Sequence, residues 1–155
     1  MTEYLGTLDL PEPVNPQGAL VAYHSACSMQ HGQKIDALPR QLLTQAGFKV
    51  RDIPEGHLCC GSAGTYNILE PEIAVRLRDR KIANIVQTSP DLVATGNIGC
   101  IAQIASGTSI PVLHTIELLD FAHGGPTPDG LASLRAERQF RKTAGTNANG
   151  SLAEG

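Results

Sequence analysis

The residues best equipped for chemistry in this 155-residue chain are its four cysteines, Cys27, Cys59, Cys60 and Cys100. The central pair is followed by a glycine, with 31 residues between Cys27 and Cys59 and 39 between Cys60 and Cys100. Thiolates are nucleophiles, redox couples and soft metal ligands. Adjacent cysteines rarely serve packing, and two neighbouring sulfurs reach one centre only if the backbone turns between them, which Gly61 permits. Four thiolates suit tetrahedral zinc or an iron–sulfur cluster. Structural zinc usually draws on short C-x-x-C knuckles, and the chain has none. Ligands in widely separated loops fit a larger object such as a [4Fe–4S] cluster. The spacing alone leaves zinc, and a metal-free thiol redox site at Cys59 and Cys60, as alternatives.

Two plainer explanations compete. Four cysteines in a secreted chain would suggest two disulfides, but Met1–Gly18 is polar and proline-rich, with no apolar signal-peptide core. A chain of this length also builds a core without covalent staples. Burial of Cys59 and Cys60 as small hydrophobes is the other explanation. The run Leu58-Cys59-Cys60-Gly61-Ser62-Ala63-Gly64 is too rich in glycine and small residues for a core strand and reads as a tight loop feeding a helix.

The histidines are the next candidates. His24 and His31 flank Cys27, where imidazole N–H groups would donate to cluster sulfurs and raise the reduction potential; a strand cap and a solvated side chain are the bland alternatives. His114 ends an apolar run and is expected at the same edge. His57 precedes the cysteine pair and would serve as a substitute ligand in a zinc site. Gly61 and its neighbours would offer backbone N–H groups to an anion or to cluster sulfides. Asn97 stands three residues before Cys100 and is expected among the groups around the sulfurs. Tyr66 and Asn67 fit packing and the start of a helix better than catalysis.

The elements that must position these groups alternate. Residues 19–24, 48–53, 91–95 and 112–114 are short apolar or alternating runs and are expected as strands. Helices are expected over 36–46, over 70–87 with Pro71 in its first turn, over 101–105, and over 115–123 behind a Thr115 cap. In the 70–87 helix, Ile73, Leu77, Ile82, Ile85 and Val86 are expected on the buried side. Alternating strands and helices imply an α/β fold: three layers, with a mainly parallel four-stranded sheet and flanking helices. Ligands of such sheets sit at the carboxyl ends of the strands. Cys27 and Cys100 both follow strands, and the Cys59-Cys60 pair occupies the next such loop. All four thiols are therefore expected at one edge of the sheet.

The length suggests one domain: an irregular N-terminal arm or linker over 1–18, a cysteine-rich domain over 19–125, a peripheral exposed helix within 126–142, and a disordered tail over 143–155. A net charge of −3 gives no electrostatic case for nucleic acid. No segment is long and apolar enough to span a bilayer. Free thiols fit a cytoplasmic, reducing setting.

On these residues the chain resembles the cysteine-rich CCG domain family. That family's pattern is a Cys, about thirty residues, Cys-Cys-Gly, thirty to forty more residues, then Cys-x-x-Cys. Five stretches match in order: Tyr23-His24-Ser25-Ala26-Cys27, His31-Gly32-Gln33, Cys59 through Asn67, Thr95 through Cys100, and His114 through Leu119. They resemble most the iron–sulfur subunits of glycolate oxidase (glycolate dehydrogenase) within the family. The resemblance implies metal ligation by Cys27, Cys59, Cys60 and Cys100, and a [4Fe–4S] cluster with zinc as the alternative. It further implies electron transfer from flavin-containing glycolate oxidase subunits towards quinone, with peripheral association at the inner face of the membrane. A structural zinc or metal-free subunit-docking domain is the alternative role. The chain departs from the pattern at Asn97, which stands where the closing motif has its first cysteine. The resemblance further implies that the chain corresponds to the C-terminal CCG domain, with the ferredoxin-like part and the first CCG domain of such subunits expected to be missing from it.

Overall fold

The computed structural model describes residues 1–15 and 18–134. Four strands, β1 (Leu20–His24), β2 (Lys49–Asp52), β3 (Leu92–Thr95) and β4 (Val112–His114), form one sheet in the order β2-β1-β3-β4, and every pairing is parallel. Burial follows sheet position. All four residues of β3 and the last four of β1 are buried, as expected of central strands covered on both faces. The edge strand β2 alternates into solvent at Lys49 and Arg51.

Parallel neighbours need crossovers, which the helices provide. The longer ones are α2 (Ala37–Gln45), α4 (Pro71–Gln87), α5 (Ile98–Ala105) and α6 (Thr115–Ala122). Single turns form α1 (Thr2–Leu5) and α3 (Tyr66–Leu69), and Ser28–Gln33 winds as a π-helix. The two-residue period of the strands sorts the core into two layers. Val21, Tyr23, Leu92 and Ala94 pack with Leu42 and Leu43 of α2 and with Leu118, Leu119 and Phe121 of α6. Ala22 and Val93 face the other way, towards Ile85 of α4, Ile104 of α5, Cys60 and Cys100. The result is the expected three-layer α/β architecture.

Strand order reverses between β1 and β3. The chain leaves β1 for β2 on one side and crosses to β3 on the other. A crevice therefore opens at the carboxyl ends of β1 and β3, where open parallel sheets bind ligands. The segments that follow these two strands carry Cys27 and Cys100.

Four local expectations need correction. Helix α5 starts at Ile98, because the Asn97 side chain caps it, so Cys100 lies in a first helical turn rather than in a loop. Helix α6 is capped by His114, whose ring accepts from the Ile116 N–H while the Glu117 carboxylate accepts from the His114 N–H; Thr115 is already helical. Helix α4 is rotated from its expected orientation. Ile73 and Val86 are exposed, and the buried face runs through Ala74, Lys81, Asn84 and Ile85. Polar residues occupy that face because it covers the cysteine loop as well as the sheet. Finally, residues 129–134 are helical but not wholly exposed, since Leu131 is buried against the α2/α6 layer. The rest of the helix expected over 129–141, and the tail over 143–155, lie outside the described residues.

The expected and observed orientations of α4 agree at Ile85 and differ at its neighbour Val86. Ile85 is fully buried and Val86 is half exposed. Ile85→Ala should cost about 2–5 kcal/mol, whereas Val86→Ala should stay within about 0.5 kcal/mol. Urea denaturation of the two variants measures the contrast, and equal losses would contradict the observed face.

Candidate metal centre

Strand alternation places His24 on the same face as Ala22, the face covered by α4 and α5. The chain then turns through buried Ser25 and Ala26 to Cys27, which is half-buried at the head of the π-helix. From the β3 side, the Oδ1 of Asn97 accepts from the Cys100 N–H at 3.1 Å and fixes that cysteine in the first turn of α5. Asn97 thus acts on the backbone of Cys100. Cys100 is buried.

The third arm is the loop after β2. Gly61 has φ +93°, and a Cβ there would collide with the backbone of Ala74 in α4. Only glycine allows this loop to turn while lying flat against the helix. The turn sends the adjacent thiols in different directions. Cys60 points into the core beside Cys100 and is 1% exposed, while Cys59 remains half-buried near Cys27. The Gly61 N–H donates to Cys59 Sγ at 3.3 Å, and the Ser62 hydroxyl lies 3.3 Å from Cys60 Sγ. A backbone amide thus meets a cysteine sulfur at this turn. The same loop meets α5, because a Cβ on Gly99 would come within 3.3 Å of Ser62 Oγ.

The electrostatics follow this pairing. The Cys100 thiol, hydrogen-bonding to Cys60, drives Cys60 towards its thiolate, with further help from His24 and Ser62 and against the cost of burial. Cys100 is pushed up correspondingly, by its bond to Cys60, by burial and by the Cys60 charge. Burial raises Cys27 to about 11, assisted by its hydrogen bond to Cys59. The outer and inner pairs therefore differ in kind: one anionic sulfur is already favoured inside, and protonated sulfur at Cys27.

His24 is 1% exposed, and apart from its approach to Cys60 its ring nitrogens have no partner; Ser25 Oγ and Thr95 Oγ1 beside it are likewise buried without one. An unpaired buried polar group costs about 1–3 kcal/mol. A ligand atom of His24 and the sulfurs of Cys60 and Cys100 all lie within 4.8 Å of one another. Around a tetrahedral ion with metal–sulfur bonds of about 2.3 Å and metal–nitrogen bonds of about 2.0–2.1 Å, such atoms would be about 3.5–3.8 Å apart. The donor set fits a soft or borderline cation with little movement.

Other expected residues are placed elsewhere. His31 is exposed on the π-helix and His57 is exposed ahead of the cysteine pair. The ring of His114 is engaged in capping α6. Sequence inspection missed Lys81. It is fully buried, and its Nζ donates to the carbonyls of Glu55 at 3.0 Å and Gly56 at 3.3 Å, just ahead of the cysteine pair. The signal was present: Lys81 lies seven residues after Ala74 and four before Ile85, on one helical face. A lysine there breaks an otherwise inward stripe.

A family model described as a cysteine-rich domain, CCG, matches residues 21–105. The glycolate oxidase iron–sulfur subunit of Escherichia coli (strain K12) is 40% identical over 102 residues, covering 66% of this chain and 25% of that protein. The probable glycolate oxidase iron–sulfur subunit of Bacillus subtilis (strain 168) is 32% identical over 116 residues, covering 70% of this chain and 26% of the relative. Lactate utilization protein A of Exiguobacterium sp. (strain ATCC BAA-1283 / AT1b) is 29% identical over 108 residues, covering 66% of this chain and 44% of the relative. The chain thus spans about a quarter of the length of the first two relatives and under half of the third.

Gly61→Ala should disturb the centre without touching a ligand. The positive φ and the collision with Ala74 together should cost more than about 1 kcal/mol. Thermal denaturation gives the loss of stability, and titration of the protein with Co²⁺ should show weakened thiolate binding. A fully stable variant with unchanged Co²⁺ binding would contradict the role of this turn.

Proposed function

Because the chain belongs to the CCG cysteine-rich domain family, we propose that it is an electron-transfer module whose thiols Cys27, Cys59, Cys60 and Cys100 hold an iron–sulfur cluster of the [4Fe–4S] type. One observation carries this most strongly. Three separate crossover loops deliver all four cysteines of the chain to one edge of one sheet, at the reversal of strand order. The names of the relatives as iron–sulfur subunits support the same reading. Such a cluster, when bound, supplies one-electron redox chemistry.

The chain's own residues provide the rest. The thiolates would ligate, the Gly61 N–H donates to Cys59 Sγ, the Ser62 hydroxyl hydrogen-bonds with Cys60 Sγ, and Ile85, Ile104 and Val93 exclude water from the inner side. Asn97 offers no thiolate, so the four cysteines are the whole thiolate supply of this chain. In the proposed setting the module works inside a complex that oxidises glycolate or a similar 2-hydroxy acid. Electrons arrive from a flavin-containing subunit and leave towards quinone, at the cytoplasmic face of the membrane. No helix among the described residues is long and apolar enough to cross a membrane, so attachment would come through partner subunits.

A second reading has its own observation. The trio His24, Cys60 and Cys100 is compact enough for a single ion, which favours a structural zinc site in a subunit-docking domain. Use of Cys59 and Cys60 as a redox dithiol is less well supported, because the two sulfurs are directed to different partners.

Iron, acid-labile sulfide and zinc content of protein purified without oxygen separates these readings. Four irons and four sulfides per chain are expected, lost in Cys59→Ser and in Cys100→Ser, and unaffected by His24→Gln. Stoichiometric zinc that survives Cys59→Ser but is lost in His24→Gln would replace the cluster with the single-ion site.

A further inference from the structure

The loop that carries Cys59 and Cys60 is tied to α4 on both sides of the pair. Ahead of it, Glu55 holds a backbone φ of +51°, which a residue with a side chain rarely adopts. Such a conformation persists only where the surroundings over-determine it. The contacts of Glu55 do so. Its carboxylate accepts from the Arg80 Nε at 2.9 Å, from the Arg80 Nη2, and from the Asn84 Nδ2 at 2.8 Å. Its carbonyl accepts from the Lys81 Nζ at 3.0 Å and from the Leu58 N–H at 2.9 Å, which closes a turn. The tie behind the pair is Gly61, which lies against the backbone of Ala74.

The two ties limit what lies between them. Ala74 precedes Lys81 by seven residues, about 10 Å of helix, so the loop runs antiparallel to α4, from its middle towards its start. Only His57, Leu58, Cys59 and Cys60 separate Gly56 from Gly61. Five backbone steps reach at most about 17 Å, so the span has little slack. Cys60 has a further hold, being buried in the α4/α5 layer. Cys59 is half-buried, and its thiol meets the Gly61 N–H and Cys27, both on irregular segments. The position of Cys59 therefore depends on the two ends of the span, and Glu55 is the end held by a side chain.

We propose that Glu55 is a positioning residue for the cysteine pair: its side chain latches the loop to α4 and presets Cys59 to join the other thiols around a metal. This deepens the metal-centre reading and rests on it, since Cys59 is placed here as a ligand. The latch supplies local order rather than global stability. The Arg80 side chain is 62% exposed and that of Glu55 36%, and ion pairs so open to water add little to the stability of a fold. The bonds from Arg80 and Asn84 hold the Glu55 carboxyl down at about 2, so the latch keeps its charge at neutral pH.

The test compares Glu55→Ala, Glu55→Gly and Glu55→Gln in the full chain, with circular dichroism to confirm folding. Ala removes the latch and keeps the backbone strain. Gly removes the latch and admits a positive φ freely. Gln keeps an amide oxygen for Arg80 and Asn84. The first readout needs no metal: hydrogen exchange of the Leu58 and Gly61 amides in reduced protein. Ala and Gly should each speed it at least tenfold, and Gln should speed it less than either. The second readout is Co²⁺ titrated at pH 7 and followed by thiolate charge-transfer absorption. Ala and Gly should each weaken Co²⁺ binding at least tenfold. In a Cys59→Ser background the same changes should cost less than threefold, because the residue they position is gone.

Unchanged exchange in folded Ala and Gly variants would overturn the proposal. So would a Gly variant that behaves like the parent, because that would mark relief of strain in place of a latch. Faster exchange with Co²⁺ affinity unchanged, in a parent whose binding needs Cys59, would overturn it as well. An undiminished tenfold loss in the Cys59→Ser background would mark a general role in the fold, with the same consequence. If Ala does not fold, Gly decides; if neither folds, the carboxylate serves the whole fold and the proposal falls. Co²⁺ binding by the parent that is absent, or unmoved by Cys59→Ser, would instead sink the reading of Cys59 as a ligand. The exchange rates alone would then decide whether the loop is latched.

Discussion

The reversal of strand order between β1 and β3 is the constraint on which the centre depends. A parallel sheet forces every crossover to return over a face, so all loops that follow a strand lie at the same edge. At the reversal, the loops after β1 and β3 diverge to opposite sides and leave a gap that neither fills. Cys27 and Cys100 stand on the two sides of that gap, and the long loop after β2 reaches across from the sheet edge with Cys59 and Cys60. None of these cysteines is near another in sequence except the central pair. Their meeting is a product of topology, and a change that left each loop intact but altered strand order would scatter them.

Glycine and asparagine then convert approximate proximity into a defined arrangement. The positive φ of Gly61 lets the cysteine loop press against α4, and the absence of a side chain brings backbone against backbone. Asn97 ends the irregular segment after β3 and starts α5 three residues before Cys100, so the helix itself sets the direction of that thiol. Neither device is a ligand. Both act by reducing the freedom of a cysteine proposed as one, which is why their substitutions are expected to act on affinity more than on the identity of the bound group.

Much of this was legible in the sequence. The four strands, their parallel arrangement and the meeting of the cysteines followed from short apolar runs alternating with helical spacing, since central parallel strands admit almost no polar residue. The orientation of α4 was not legible, for a physical reason. Amphipathic analysis assumes that a buried face is apolar. The inward face of α4 covers a loop that presents carbonyls and sulfurs, so Lys81 and Asn84 are the residues that fit there, while Ile73 and Val86 are left in solvent. The start of α5 was misplaced because two glycines in Gly96-Asn97-Ile98-Gly99 suggest a loop, whereas the asparagine is a cap. For His114, position at the sheet edge was legible, whereas the engagement of its ring with the start of α6 was not.

The two cysteine pairs differ in how far the fold has already prepared them. Cys60 and Cys100 are packed in the α4/α5 layer with Ala22, Val93 and Ile104, as small apolar side chains would be. Their positions are fixed by the same contacts that hold the sheet together, so metal is not needed to place them. Cys27 and Cys59 are half-buried on less regular segments, a π-helical turn and the loop before Gly61. Under the proposed metal-centre reading the two pairs would divide the work: the inner pair, with His24 beside it, is already held by the core, and the outer pair, nearer to solvent, would be ordered by the bound group.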